Sequence, residues 1–178
     1  MPHIHTQPGQ HDLTSSAYIV RLDGPEPVIL LHMHKLLGTY LQFGGHVELH
    51  ENPWQTVAHE INEESGYRLS QLQLLQPELR LASLTHAINH PLPISIQTHK
   101  FGKLDHYHTD IAYAFVTSQA PQDAIGEGES GHIVAFTAEG LKALSDTEIF
   151  ESVRETALFV LRELLPVWQR VPADGHEV

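Results

Sequence analysis

Gly44-Gly45-His46-Val47-Glu48-Leu49-His50-Glu51-Asn52-Pro53-Trp54-Gln55-Thr56-Val57-Ala58-His59-Glu60-Ile61-Asn62-Glu63-Glu64-Ser65-Gly66-Tyr67 is the stretch that decides how this chain is read. Asn52 suits a helix N-cap, Pro53 the first helical position and Gly66 a terminator, which predicts a helix over 53–65. At roughly 100° per residue, Glu60, Glu63 and Glu64 share one arc, while Trp54, Val57, Ala58 and Ile61 take the neighbouring arc toward a core. The helix contains no Lys or Arg, so the three like charges have no cationic partner one turn away. A solvated acidic face is the plainest account of such a run. Clustered oxygen donors alternatively suit Mg²⁺ or Mn²⁺, and Gly44-Gly45 lets a main-chain carbonyl approach as a further ligand.

Outward from this helix, the chain reads as one domain. Short strands are expected at 17–22 and 28–32 around the Asp23-Gly24-Pro25 turn, and at 40–43. Further strands are expected at 72–82, 94–99, 107–116 and 133–136, with a short helix at 138–144. An amphipathic helix from Thr147 to Leu165 is ended by Pro166. Residues 1–13 are polar and His-rich and read as a mobile lead-in, 14–168 as the domain, and 169–178 as a tail. Strands mixed with a few helices point to an α/β or α+β sandwich.

Composition narrows the function. The 178 residues include 10 Lys and Arg against 22 Asp and Glu, a net charge of −12 with His neutral. That balance disfavours a nucleic-acid duplex or an anionic membrane as partner, and a phosphate ligand would need a metal intermediary. The absence of cysteine removes thiolate zinc sites and thiol nucleophiles. Without a leader pattern or a long apolar run, the chain reads as a soluble cytoplasmic protein. The 15 histidines outnumber Lys and Arg together.

The quoted stretch resembles the Nudix box: Gly, five residues, Glu, seven residues, then Arg-Glu-aliphatic-any-Glu-Glu-any-Gly-aliphatic. Gly45, Glu51, Glu60, Ile61, Glu63, Glu64 and Gly66 fall in register. Six exact Gly or Glu matches arise by chance about once in ten million start points. His59 replaces the family's Arg and Tyr67 its aliphatic residue. Segments around 14–20, 32–36, 40–46, 106–110 and 127–136 resemble one bacterial Nudix subgroup.

The resemblance implies a Nudix-like α/β/α sandwich with a mixed central sheet and metal-assisted hydrolysis of a small-molecule diphosphate, typically a nucleoside diphosphate joined to another group. Carried over by position, Glu60 and Glu64 are the principal Mg²⁺ ligands, Glu63 supports them, and the Gly44 carbonyl contributes. Glu64 itself, Glu129 or, after it, Glu127 could serve as general base. Glu51 orients His59. The family admits homodimers. The alternative is a catalytically weak Nudix-fold module that senses a nucleotide or sugar nucleotide; His59 leans toward it, the intact glutamates away from it.

Four more residues are candidate substrate contacts. Lys35 and Arg80 stand out because cations are scarce. His106, His108 and Asp110 share one face of a strand, and His32 with His34 repeats the spacing. That face can be a phosphate contact, a separate zinc site or an ordinary polar strand face, with phosphate ranked above zinc. Tyr40, Phe43 and Tyr107 could stack on a base but are favoured as core.

Overall fold

The computed structural model describes residues 7–81, 83–100 and 106–176. Its spine is a pair of eleven-residue strands, β1 (His11–Arg21) and β7 (Tyr107–Thr117), joined in parallel along their whole length. Seven of β1's residues in succession are buried, as expected of a central strand covered on both faces.

Two strands share the free edge of β1. β4 (Phe43–His46) pairs antiparallel with its first half and β2 (Val28–Met33) with its second. β3 (Tyr40–Leu41) and β8 (Ile133–Phe136) extend the sheet beyond β2. On the far side of β7 lie β6 (Ser95–Lys100) and β5 (Gln73–Gln76), and β9 (Gln169–Pro172) closes on β5.

Odd-numbered residues of β1 and β7 face one helix layer and even-numbered residues the other. Ala17, Ile19, Tyr113 and Phe115 pack with Trp54, Val57 and Ile61 of α1 (Pro53–Ser65). Tyr18, Val20, Ala112 and Ala114 pack with Leu141 of α2 (Ala138–Ala143), with Val153 and Ala157 of α3 (Glu151–Phe159), and with the π-helical turn Val160–Leu164. The architecture is an α/β/α sandwich around a mixed sheet. No helix among the described residues is long and apolar enough to cross a membrane.

α1 begins and ends on local chemistry. The Asn52 side chain accepts from the Trp54 and Gln55 amides at 3.0 and 2.9 Å, and Gln55 returns the contact by accepting from the Asn52 amide. Gly66 closes the helix in the left-handed region at φ 72°. A Cβ there would also lie 2.3 Å from the Asp123 carbonyl oxygen, so both conformation and space require glycine.

Several boundaries differ from the sequence reading. The strand expected over 72–82 is only Gln73–Gln76, because Pro77 has no amide to donate to a ladder; Ala82 lies outside the described residues. The helix expected from Thr147 starts at Glu151. Its missing turn is used elsewhere: the Tyr40 amide donates to the Glu148 carbonyl at 2.7 Å and Tyr40 bridges Ile149. The 14–168 domain limits are too narrow at both ends. β1 begins at His11 within the expected lead-in, whose residues 1–6 are outside the described set. The expected tail supplies β9 and the fully buried Ala173.

Candidate active site

Glu60 and Glu64 lie one turn apart on α1 and are both buried, at 3% and 6% exposure. They are trapped beneath β4. The Gly44 amide donates to Glu64 Oε2 at 2.8 Å, and a Cβ on Gly45 would stand 2.0 Å from Glu60 Oε1. Glycine at 45 is therefore what lets the strand lie on the carboxylate.

Burial and mutual repulsion dominate the electrostatics. Glu60 is pushed up to about 7 and Glu64 to about 9, first by burial and then by neighbouring carboxylates, with the Gly44 amide and the His59 ring opposing. Among the described residues no Lys or Arg comes within ion-pair range of either glutamate; the imidazole of His32 has its Nδ1 3.7 Å from Glu64 Oε1, and the His59 charge bears on Glu60. His32 is itself buried, which lowers it to about 4 and keeps it neutral. Its Nδ1 has no hydrogen-bond partner. Two buried carboxylates raised in this way, with no Lys or Arg among the described residues paired to them, form an oxygen donor set that fits a hard divalent cation.

Glu63 sits differently. It is half-exposed on the rim, its carboxylate 3.4 Å from His59 Nε2. The other ring nitrogen, Nδ1, lies 3.1 Å from Glu51 Oε1, and Thr56 Oγ1 donates to Glu51 Oε2 at 2.8 Å. His59 thus bridges the two glutamates. Burial pulls its pKa down, but Glu60, Glu51 and Glu63 together outweigh this and raise it.

The loop between β7 and β8 is brought to the end of α1. The Gly126 amide donates to the Glu63 carbonyl at 2.7 Å, and the Glu129 amide turns back onto the Gly126 carbonyl. The Glu129 charge bears on Glu60, Glu64 and His34, whereas Glu127 is exposed. Lys35 donates from Nζ to the Gly128 carbonyl, tying its turn to this loop. A second clamp holds the loop's start: Arg68 and Asn62 both donate to Asp123, holding its carboxyl down at about 2.

The other nominated residues are placed apart. Arg80 donates to the Pro77 carbonyl of its own turn, and its charge bears on His176. His106 and His108 lie on the sheet face opposite α1, because they share the even register of Ala112 and Ala114. Phe43 is fully buried under α1, Tyr40 packs edge-on against Phe136 at 4.9 Å, and Tyr107 stacks on His11 at 5.1 Å. Sequence reasoning passed over His32 as a neighbour of Glu64; its place two residues beyond Leu30, on the α1-facing side of β2, was the available signal.

Solved structures share this fold. A Nudix-family hydrolase from Clostridium perfringens is 25% identical, with a TM-score of 0.66, over 84% of this chain and 95% of that one. A Nudix hydrolase from Nitrosomonas europaea is 15% identical with a TM-score of 0.63, covering 94% and 96%. The E. coli dihydroneopterin triphosphate pyrophosphohydrolase is 14% identical with a TM-score of 0.60, covering 87% and 96%. No protein-family model and no curated protein sequence matches the chain.

Proposed function

We propose, on the premise that the chain is a member of the Nudix superfamily, that it is a divalent-metal-dependent hydrolase of a diphosphate linkage in a small molecule, typically a nucleoside diphosphate joined to another group. The observation that carries this reading is the buried Glu60–Glu64 pair beneath Gly44-Gly45, with no Lys or Arg among the described residues in ion-pair range. A purely structural role would leave two costly buried carboxylates uncompensated.

Glu60 and Glu64 would hold Mg²⁺, or Mn²⁺ in its place, with the Gly44 carbonyl as a further donor and Glu63 supporting from the rim. When bound, such an ion neutralises charge on diphosphate oxygens and lowers the pKa of an attacking water. Glu129, carried to the same end of α1 by its loop, takes the proton from that water. Glu64, held by the Gly44 amide, is oriented rather than free to move. Lys35 offers a cation at the mouth of the loop for the substrate's terminal phosphate.

His59 bears on the choice between enzyme and sensor. Its two nitrogens reach Glu51 and Glu63 at once, as a planar bidentate cation would, and its raised pKa favours the charged form. This supports a working box and weakens the case for a non-catalytic sensor. A cytoplasmic location and a homodimer are part of the same proposal.

The test is phosphate release from a panel of diphosphate compounds (nucleoside diphosphate sugars, ADP-ribose, dinucleoside polyphosphates, nucleoside triphosphates) with Mg²⁺ or with chelator. Turnover of at least one class that vanishes with chelator and in Glu64→Gln is expected. Tight binding across the panel without turnover would favour the sensor.

A further inference from the structure

On the face of the sheet turned away from α1, a second group of side chains converges. Strand register alone brings it together. Asp12 of β1 pairs with His108 of β7, and Thr14 of β1 pairs with His46 of β4. Because all of these occupy the same parity, Asp12, His46 and His108 project from three adjacent strands to one side. One ligand-type atom from each lies within 4.8 Å of the other two. Asp12 and His108 are buried, at 8% and 7% exposure, and His46 stands at the rim of the cluster.

Two further residues shape it. His106 Nε2 lies 3.5 Å from Asp12 Oδ2, the oxygen that is also 3.8 Å from His46 Nε2. One carboxylate oxygen is thus flanked by two imidazole nitrogens, each farther than a good hydrogen bond. Asp110 also shares this face, but Thr14 and Ser16 donate to its two oxygens at 2.9 and 2.7 Å. Its carboxylate is engaged by the strand's hydroxyls.

We propose that Asp12, His46 and His108 form a binding site for a transition-metal dication of the zinc class, separate from the carboxylate site on α1. The donor chemistry selects the ion: two imidazoles and one carboxylate suit zinc, whereas the α1 site offers oxygen alone. Three protein ligands leave a fourth position open to water or a phosphate oxygen. Tetrahedral ligands about 2.0 Å from zinc stand about 3.3 Å apart, so ring pivots closing a gap of about 1.5 Å complete the site. The ion would pin the starts of β1 and β7 and the end of β4, the strand that lies on Glu60.

The test uses the full chain stripped with chelator and then titrated with Zn²⁺, with bound metal counted by elemental analysis and Co²⁺ used as a spectroscopic substitute. The double variant Glu60→Gln/Glu64→Gln removes the α1 site and should still bind one Zn²⁺, and its Co²⁺ form should show ligand-field bands of imidazole coordination. His46→Ala and His108→Ala should each weaken Zn²⁺ at least about tenfold. Excess Mg²⁺ should not displace the ion from the double variant. Loss of zinc in the double variant with retention in both histidine variants would place it on α1 and overturn the proposal. So would the absence of Co²⁺ bands in the double variant, a result independent of whether the histidine variants fold.

Discussion

The two clusters occupy opposite faces of one sheet, and they differ in nearly every physical respect. The α1 cluster is two buried carboxylates facing a neutral imidazole, raised to about 7 and about 9 by burial and repulsion. Its members are four residues apart, on a helix whose ends are set by Asn52 and Gly66. The opposite cluster is imidazoles around one carboxylate, and its members come from residues 12, 46 and 108. Oxygen donors alone favour a hard ion, and imidazoles a borderline one. The lesson is that strand parity turns one face of a sheet toward a helix bearing carboxylates and the other toward a cluster of imidazoles.

The largest expected effect sharpens the role of the α1 face. Glu64→Gln keeps the shape but removes a charged oxygen, and should cut Mg²⁺-dependent turnover by more than about a thousandfold while raising the melting temperature of the metal-free protein. Near-normal turnover would leave the two faces undistinguished in function. Glu129→Gln should cost about a hundred- to ten-thousandfold in kcat with little change in the Mg²⁺ concentration giving half-activation. A change in the metal requirement alone would make Glu129 a ligand instead of a base.

Gly45→Ala probes the wall between the faces. Its Cβ must displace the Glu60 carboxylate. Because that group is the end of a flexible side chain, the fold should survive while Mg²⁺ activation weakens about ten- to a hundredfold. Unchanged activation would mean that Glu60 is not held against β4 when the site works.

The smallest effects concern pH. The pKa values of Glu60 and Glu64 are higher folded than unfolded, so as far as these two groups decide it the metal-free fold is most stable below about pH 4.5, where both states are protonated. It should lose stability as pH rises toward about 9. Mg²⁺ should cancel this slope, raising the melting temperature most on the alkaline side. His59 adds a slope of the same sign by another route. Its raised pKa gives stabilisation fully present below about 6.5 that fades as pH rises through the folded value. His59→Arg should flatten that part of the curve and preserve activity. Melts of both proteins from pH 6 to 9 that run parallel would show His59 neutral throughout.

Legibility in the sequence followed distance along the chain. The helix Pro53–Ser65 was readable to the residue, because its cap, its first-turn proline and its terminating glycine all act within a few positions. The register of Glu51, Glu60, Glu63 and Glu64 was readable for the same reason. The convergence of Asp12 with His108 was not, since it depends on pairing segments 96 residues apart. The pattern His106, His108, Asp110 was visible, but only the structure shows Asp110 engaged by Thr14 and Ser16. The late start of α3 was hidden likewise, because Tyr40 draws the backbone at Glu148 and Ile149 into an extended contact.

The parallel ladder between β1 and β7 also dictates an order of assembly. Parallel neighbours cannot form from a hairpin, and closing a chain segment of this length is entropically slow. A chain emerging N-terminus first presents β1, β2, β4 and α1 long before residue 107 exists. During that interval β1 has one edge paired and the other bare, and its apolar residues lack half their cover. Arrest of synthesis before Thr117 would therefore yield a species with an open strand edge, the form most prone to pair with another copy. The strand that supplies His108 to the second cluster also covers the bare edge of β1.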